Sequence, residues 1–195
     1  MKLIISTYNY LGIYNTASRE LTKIHENEGK YFGITWDDNI LYATVGVRLN
    51  KGEKYGEKIE NILCFDKAFN CIGHLNKYNW GLINVHQILY NNNKLWIANS
   101  GLNSIDIWDF KTKELKRWYP VFFKRNKDIN HFNSLLIRDE NLYLLAHNNN
   151  KQSQVYVYPV NRRFLPKKMK LGYQAHNIFM NQNEIFVCDS NNTGN

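Results

Sequence analysis

The chain has 195 residues, 44% hydrophobic and 22% charged, with a formal net charge of +8. That size and apolar content exclude a disordered chain and allow one domain with a core. No apolar run approaches the ~18 residues of a membrane-spanning helix, and an abundance of Tyr, Phe and Trp with only three Pro favours strands over helices.

In chain order, the N-terminal MKLIISTYNYLGIYN has an apolar stretch only from Leu3 to Ile5, too short for a signal peptide, so the expected setting is the cytoplasm. Two short strands there, the second ending at Tyr14 and Asn15, are followed by a more polar one in ELTKI. From Gly33, GITWDDNILYAT reads as strand, tight turn, strand, and ILCFD and NCIGHL add a third and a fourth. The pattern returns in QILYNNNKLWIA from Gln87, followed by IDIWD and ELKRWY. It returns again in SLLIRDENLYLL from Ser134, followed by VYVYP and KKMKL, and a last time in NIFMNQNEIFVC from Asn177. In each copy an apolar residue is followed seven positions later by Leu or Ile and then by an aromatic. The sets are Ile34/Leu41/Tyr42, Ile88/Leu95/Trp96, Leu135/Leu142/Tyr143 and Ile178/Ile185/Phe186.

The aligned positions 34, 88, 135 and 178 lie 54, 47 and 43 residues apart. Four antiparallel strands in a unit of that length describe a β-propeller blade. A β-sandwich would not need to repeat in register. The expected fold is all-β: a β-propeller of four-stranded antiparallel blades forming a single domain over 1–195. The strand count runs three, four, four, four and two, about four and a half blades. The expectation is a truncated six-bladed ring, incomplete at the C-terminus, with a compact four-bladed ring plus a leftover strand as the alternative.

WIANSGLNSIDIWD resembles the NHL repeat, in which an apolar strand runs into Asp-Ser/Thr-Gly-Asn and then a strand ending aromatic-Asp. VCDSNNTGN resembles the same motif cut short. The likeness extends to the six-bladed group of the gluconolactonase and senescence-marker families. Asp66, Asp109 and Asn15 recur at strand–turn junctions, where Asp and Asn cap turns. Asn99 and Asp189 align on the second strand and are expected to hold the turn that follows.

Inner strands line a propeller's channel, so equivalent positions at their starts form rings about its axis. Two residues before the aligned apolar position stand Phe32, His86, Asn133 and His176; four before it stand Lys30, Asn84, His131 and Gln174. Strand alternation would put both rings on one face. Imidazole nitrogen and amide oxygen can ligate a divalent cation, zinc or calcium. Asn84, His86, His131, Asn133 and His176 are therefore the candidate ligand-binding residues, with His86, Asn133 and His176 as candidate metal ligands; the other reading is a solvated channel lining. The gluconolactonase resemblance implies Glu, Asn and Asp ligands at such positions. Asn133, in NSL, matches that family's Asn-Gly-Ile segment, whereas Phe32 stands where a ligand would be needed. HQI and HNI resemble inner-strand starts of the peptidylglycine amidating lyase, which implies channel histidines on zinc, with Asn133 replacing one of them.

Cys64 and Cys71 flank a turn and read as packed thiols, with a disulfide as the alternative; Cys188 stands alone. The basic run RRFLPKKMK has no aromatic RNA-binding signature beside it, so neither nucleic acid nor membrane is an expected partner. The charged stretch 48–61 reads as a loop shaping a binding face or as a solvated insertion. No phosphate loop and no Gly-x-Ser-x-Gly elbow occurs. Two functions remain. One is a binding module recognising a protein or small ligand at the channel mouth. The other is a metal-dependent enzyme, a lactonase-like hydrolase or an amidating-lyase-like protein, in which the His/Asn ring holds the metal.

Overall fold

The computed structural model describes residues 1–47, 60–75, 80–162 and 164–190. Most of the 48–61 stretch lies outside the described residues. The strands are β1 (Lys2–Ser6), β2 (Tyr10–Asn15), β3 (Glu20–Glu26), β4 (Lys30–Trp36), β5 (Leu41–Gly46), β6 (Asn61–Phe65), β7 (Cys71–His74) and β8 (Val85–Asn91). They continue as β9 (Lys94–Asn99), β10 (Ser104–Asp109), β11 (Glu114–Trp118), β12 (Phe132–Arg138), β13 (Asn141–Ala146), β14 (Gln152–Pro159), β15 (Lys167–Tyr173), β16 (Ala175–Asn181) and β17 (Glu184–Asp189). Among the described residues the remaining regular structure is two single-turn 3-10 helices.

The strands form five antiparallel sheets ordered β1-β2-β3, β4-β5-β6-β7, β11-β10-β9-β8, β12-β13-β14-β15 and β16-β17. The fold is all-β, with mostly four-stranded sheets as in a partial propeller, and the strand count of three, four, four, four and two is the one the repeat implies. The chain divides into two compact units, Met1–Tyr90 and Asn91–Asn195.

The hairpins follow from turn chemistry. Asp139 and Glu140, between β12 and β13, have φ of 49° and 57°. Two successive left-handed residues make a turn whose twist matches the flanking strands. Asp66 accepts the N–H groups of Ala68 and Asn70, Asp109 those of Lys111 and Thr112, and Asn15 that of Ala17. These residues cap turns, as their positions suggest. Asn99 reaches across the turn that follows it and donates to the buried Asp106 carboxylate, which also receives Ser104 and a two-pronged contact from Arg117 at 2.7 and 2.8 Å. Such donors replace the hydration that a carboxylate loses on burial.

In unit 1 the core gathers Leu11, Tyr31, Leu41, Ala43, Val45, Leu63 and Phe65. In unit 2 Leu145, Val155, Ala175 and Ile178 form a cluster bordered by Leu136, Tyr143 and Val187. β5 is buried along its whole length, whereas β3 and β15, the last strands of their sheets, are mostly exposed. The second strands β5, β9 and β13 are thus mostly packed on both faces, and the polar strands β3 and β15 face water. Cys64, Cys71 and Cys188 are free thiols, and burial, then Cys71, then Asp37 push the Cys64 thiol up to about 11.

Candidate functional site at the inner-strand starts

Every candidate residue lies where the chain turns into an inner strand. Asn84, His131 and Gln174 occupy the residue just before β8, β12 and β16 and have φ of 51°, 50° and 49°. A left-handed residue there kinks the backbone as the strand begins. The strands themselves then depart from regular pairing. Register shifts fall between Tyr31 and Ile34 in β4, between Phe132 and Ser134 in β12, and between His176 and Ile178 in β16. These bulges leave Asn133 and Asn177 as extra residues. In β4 and β12 they interrupt the alternation that would have put both sequence rings on one face, and in β16 the left-handed Gln174 lies outside the strand.

In unit 1 the candidates meet aromatic rings. Phe32 stacks on His86 with centroids 5.1 Å apart and planes 23° apart, and Tyr8 meets Phe32 edge-on at 5.8 Å. Lys30 lies over the Tyr8 ring at 4.8 Å. Gly33 explains the closeness: a Cβ there would come within 2.4 Å of the His86 carbonyl oxygen. Asn84 is held through its backbone by Glu60, whose carboxylate accepts N–H groups from Val85, Asn84 and Val47. Burial raises the Glu60 pKa, opposed by these donors and by Lys30.

In unit 2 the candidates meet each other. Asn133 is 5% exposed. Its Nδ2 donates to the Ala175 carbonyl at 3.1 Å and to Nδ1 of His176 at 3.0 Å. The carbonyl can only accept, which fixes the orientation of the amide. His176 Nδ1 is therefore the acceptor, and the neutral ring carries its proton on Nε2. Oδ1 of Asn133 is buried without a hydrogen-bond partner.

A third imidazole completes the group. His147 lies between His131 and His176, with ring centroids 5.2 and 4.9 Å away. Its Nδ1 accepts the Asn149 backbone N–H at 3.0 Å, so it too carries its neutral-form proton on Nε2. Burial, then His131, then His176 push the His147 pKa down to about 4. Burial and then His131 lower that of His176. Both rings are neutral at physiological pH. His131 is oriented differently: Nδ1 faces the Asp128 carboxylate at 2.9 and 3.0 Å. Ser153 ties the surroundings together, donating to the His147 carbonyl and accepting the Ala175 N–H.

The structure thus brings together three of the five candidates, His131, Asn133 and His176, within unit 2, and places Asn84 and His86 in unit 1. It adds His147 and Asp128, which the repeat alignment passed over. Hairpin register could have found His147. Phe132 pairs with Ala146, which puts His147 opposite His131, and its N–H reaches the His131 carbonyl at 3.2 Å. Among the described residues no group of three or more His, Cys, Asp or Glu side chains is arranged to hold a metal ion. No helix among them is long and apolar enough to cross a membrane.

No protein family matches the sequence. No characterised protein matches it either. Solved structures do resemble the fold. The nidogen/laminin complex contains a chain that is 10% identical with a TM-score of 0.69, over 96% of this chain and 66% of that one. The extracellular domain of BT4673 from B. thetaiotaomicron is 15% identical with a TM-score of 0.65, over 97% of this chain and 25% of that one. The computationally designed Ika8 protein is 7% identical with a TM-score of 0.56, over 95% of this chain and 52% of that one. This chain spans less than two thirds of each, and identities this low establish likeness of fold alone.

Proposed function

We propose that the chain is a propeller-type binding module of the NHL and gluconolactonase-like kind, and that unit 2 holds a small organic ligand at its inner-strand starts. The observation that carries this reading is the Asn133 amide oxygen, buried without a donor, on the amide whose nitrogen meets His176. An unsatisfied buried acceptor costs about 1–3 kcal/mol, which a ligand donor reaching it would recover. His147 and His176 offer Nε2–H donors. The complementary ligand therefore both donates and accepts, as a hydroxyl or a primary amide does.

The alternative of a zinc- or calcium-dependent enzyme on His86, Asn133 and His176 fits these residues less well. A metal on Nε2 needs its lone pair, with Nδ1–H donating outward. At both His147 and His176 the Nδ1 position is already an acceptor.

The test is titration of the intact protein with glucose, myo-inositol and acetamide, followed by the ring nitrogen signals of the histidines in NMR. The expected result is saturable shifts at His147 and His176 with at least one probe, lost in Asn133→Leu. Unmoved signals up to ~100 mM of every probe would overturn the proposal.

A further inference from the structure

Unit 1 carries a second site with a different chemistry. A hollow of about 250 Å³ opens beside the turns that follow β4 and β6. This is below the ~300 Å³ at which sites for drug-sized molecules begin, so it suits a small headgroup. Its apolar lining comes from Ile4, Ile40, Leu41 and Phe69. Trp36 forms part of the wall and is 63% exposed, the indole left in water at the end of a strand. Three carboxylates, Asp37, Asp38 and Asp66, surround the hollow against one ammonium, Lys67. On a chain of net charge +8 this is a local reversal of sign.

The carboxylates are negative but largely occupied. Asp37 Oδ1 accepts the N–H groups of Asn39 and Ile40 at 2.7 and 2.8 Å, and Oδ2 accepts the Tyr42 hydroxyl at 2.8 Å. Asp66 Oδ1 accepts the N–H groups of Ala68 and Asn70, and Oδ2 accepts the Asn70 amide at 3.0 Å. Burial works against the Asp37 charge, but the Asn39, Ile40 and Tyr42 donors together hold its pKa below the usual value. The Asn70 side chain, then the Asn70 backbone, do the same for Asp66. Both stay ionised well into acid. Their charge reaches the hollow while their lone pairs serve the turns.

A negative field, an apolar floor and an exposed indole suit a cation with an apolar coat. We propose that this hollow binds a quaternary ammonium headgroup, held by the Trp36 face and the field of Asp37, Asp38 and Asp66. A primary ammonium could gain only the exposed Asp38 carboxylate while losing hydration against the apolar floor. A neutral group of the same shape would gain only the floor.

The experiment is calorimetric titration of the whole chain with choline and, in parallel, with 3,3-dimethyl-1-butanol, the neutral isostere. Choline is expected to bind with a Kd on the order of 1–10 mM, as exposed cation–π sites allow. The isostere should bind at least ~10-fold more weakly. Trp36→Ala should weaken choline by ~10-fold or more. Asp38→Asn, which leaves the turn donors of Asp37 and Asp66 in place, should weaken it by ~3-fold, and ~0.5 M NaCl should weaken it in the wild type as well. Asn133→Leu should leave it unchanged, which separates this site from the histidine cluster of unit 2. Equal binding of the isostere, full binding by Trp36→Ala, or no saturation by ~100 mM choline would each overturn the proposal.

Discussion

The two units fill one position of the repeat in opposite ways. In unit 1 the inner-strand starts bring Phe32 flat against His86, with Tyr8 closing the edge. In unit 2 the equivalent starts bring Asn133 to His176, with His147 and His131 in line behind. The backbone device is shared, since Asn84, His131 and Gln174 are all left-handed immediately before the strand. The fold therefore supplies a projecting position, and the side chains decide whether it becomes aromatic packing or a hydrogen-bonded polar cluster. An imidazole serves in both, as a ring in one and as a set of nitrogens in the other.

The sharpest way to break that contrast is Asn133→Ala. It removes the donor to the Ala175 carbonyl and to His176 Nδ1. The carbonyl then loses a partner in a buried setting, partly offset by removal of the unsatisfied Oδ1, for a net cost of roughly 2 kcal/mol. Urea denaturation should show this loss, and the His176 ring signals should show a change of tautomer. A loss below ~0.5 kcal/mol would mean that the polar cluster is not holding β12 to β16. The counterpart in unit 1 is Phe32→Ala, with an expected loss of about 1–2 kcal/mol from two ring contacts on a half-buried side chain. Urea denaturation should show it, and a loss below ~0.5 kcal/mol would mean that the stacked rings add little to packing.

The fold was readable because its signal is repeated. The spacing of Ile34, Ile88, Leu135 and Ile178 from their partner strands recurs, and one misread copy would not have hidden it. Three of the five members of the polar cluster were readable for the same reason: His131, Asn133 and His176 sit at repeated positions. His147 does not, because it follows the second strand of its sheet, and reaching it requires hairpin pairing as well as alignment. The bulge at Asn133 and the left-handed Gln174 left no mark in the spacing, so the strict alternation assumed for the two rings did not hold. Phe32 looked like a missing ligand when read for metal chemistry. Beside His86 it is a stacking partner.

The third prediction uses acid. His147 has a folded pKa of about 4, below the ordinary imidazole value of 6.5, because burial and two neighbouring imidazoles oppose its charge. The unfolded chain therefore binds the proton first. The stabilising preference for the neutral ring is complete above pH 6.5 and is lost as pH falls through 4. The groups facing the ring are His131, His176 and Asp128, the last of which acts in the opposite direction. With solvent screening the exposed edge of the ring, the effect is about 1 kcal/mol. Stability against urea should fall by that amount between pH 7 and pH 4 in the wild type relative to His147→Gln. Parallel pH curves for the two proteins would remove His147 from the account.

The smallest effect compares two histidine–carboxylate contacts with the same sequence spacing. In unit 2, His131 Nδ1 meets both oxygens of Asp128 at 2.9 and 3.0 Å, with side chains 15% and 35% exposed. In unit 1, His25 Nε2 meets Glu28 at 3.4 Å, with side chains 15% and 47% exposed. The imidazoles are equally covered, so the difference lies in the carboxylate and the geometry. His25 also has the Tyr31 hydroxyl on its other nitrogen at 2.7 Å and packs edge-on to Phe65, so its position does not depend on Glu28. His131 faces His147, and Asp128 is the group that aims its Nδ1. Double-mutant cycles on Asp128/His131 and Glu28/His25 should give couplings of about 0.5–1 kcal/mol and about 0.2 kcal/mol or less. The larger coupling belongs to the unit whose histidine acts through its nitrogens. Equal couplings, or a larger one at His25, would show that the carboxylate is incidental to His131 and that the cluster is arranged by packing, as it is in unit 1.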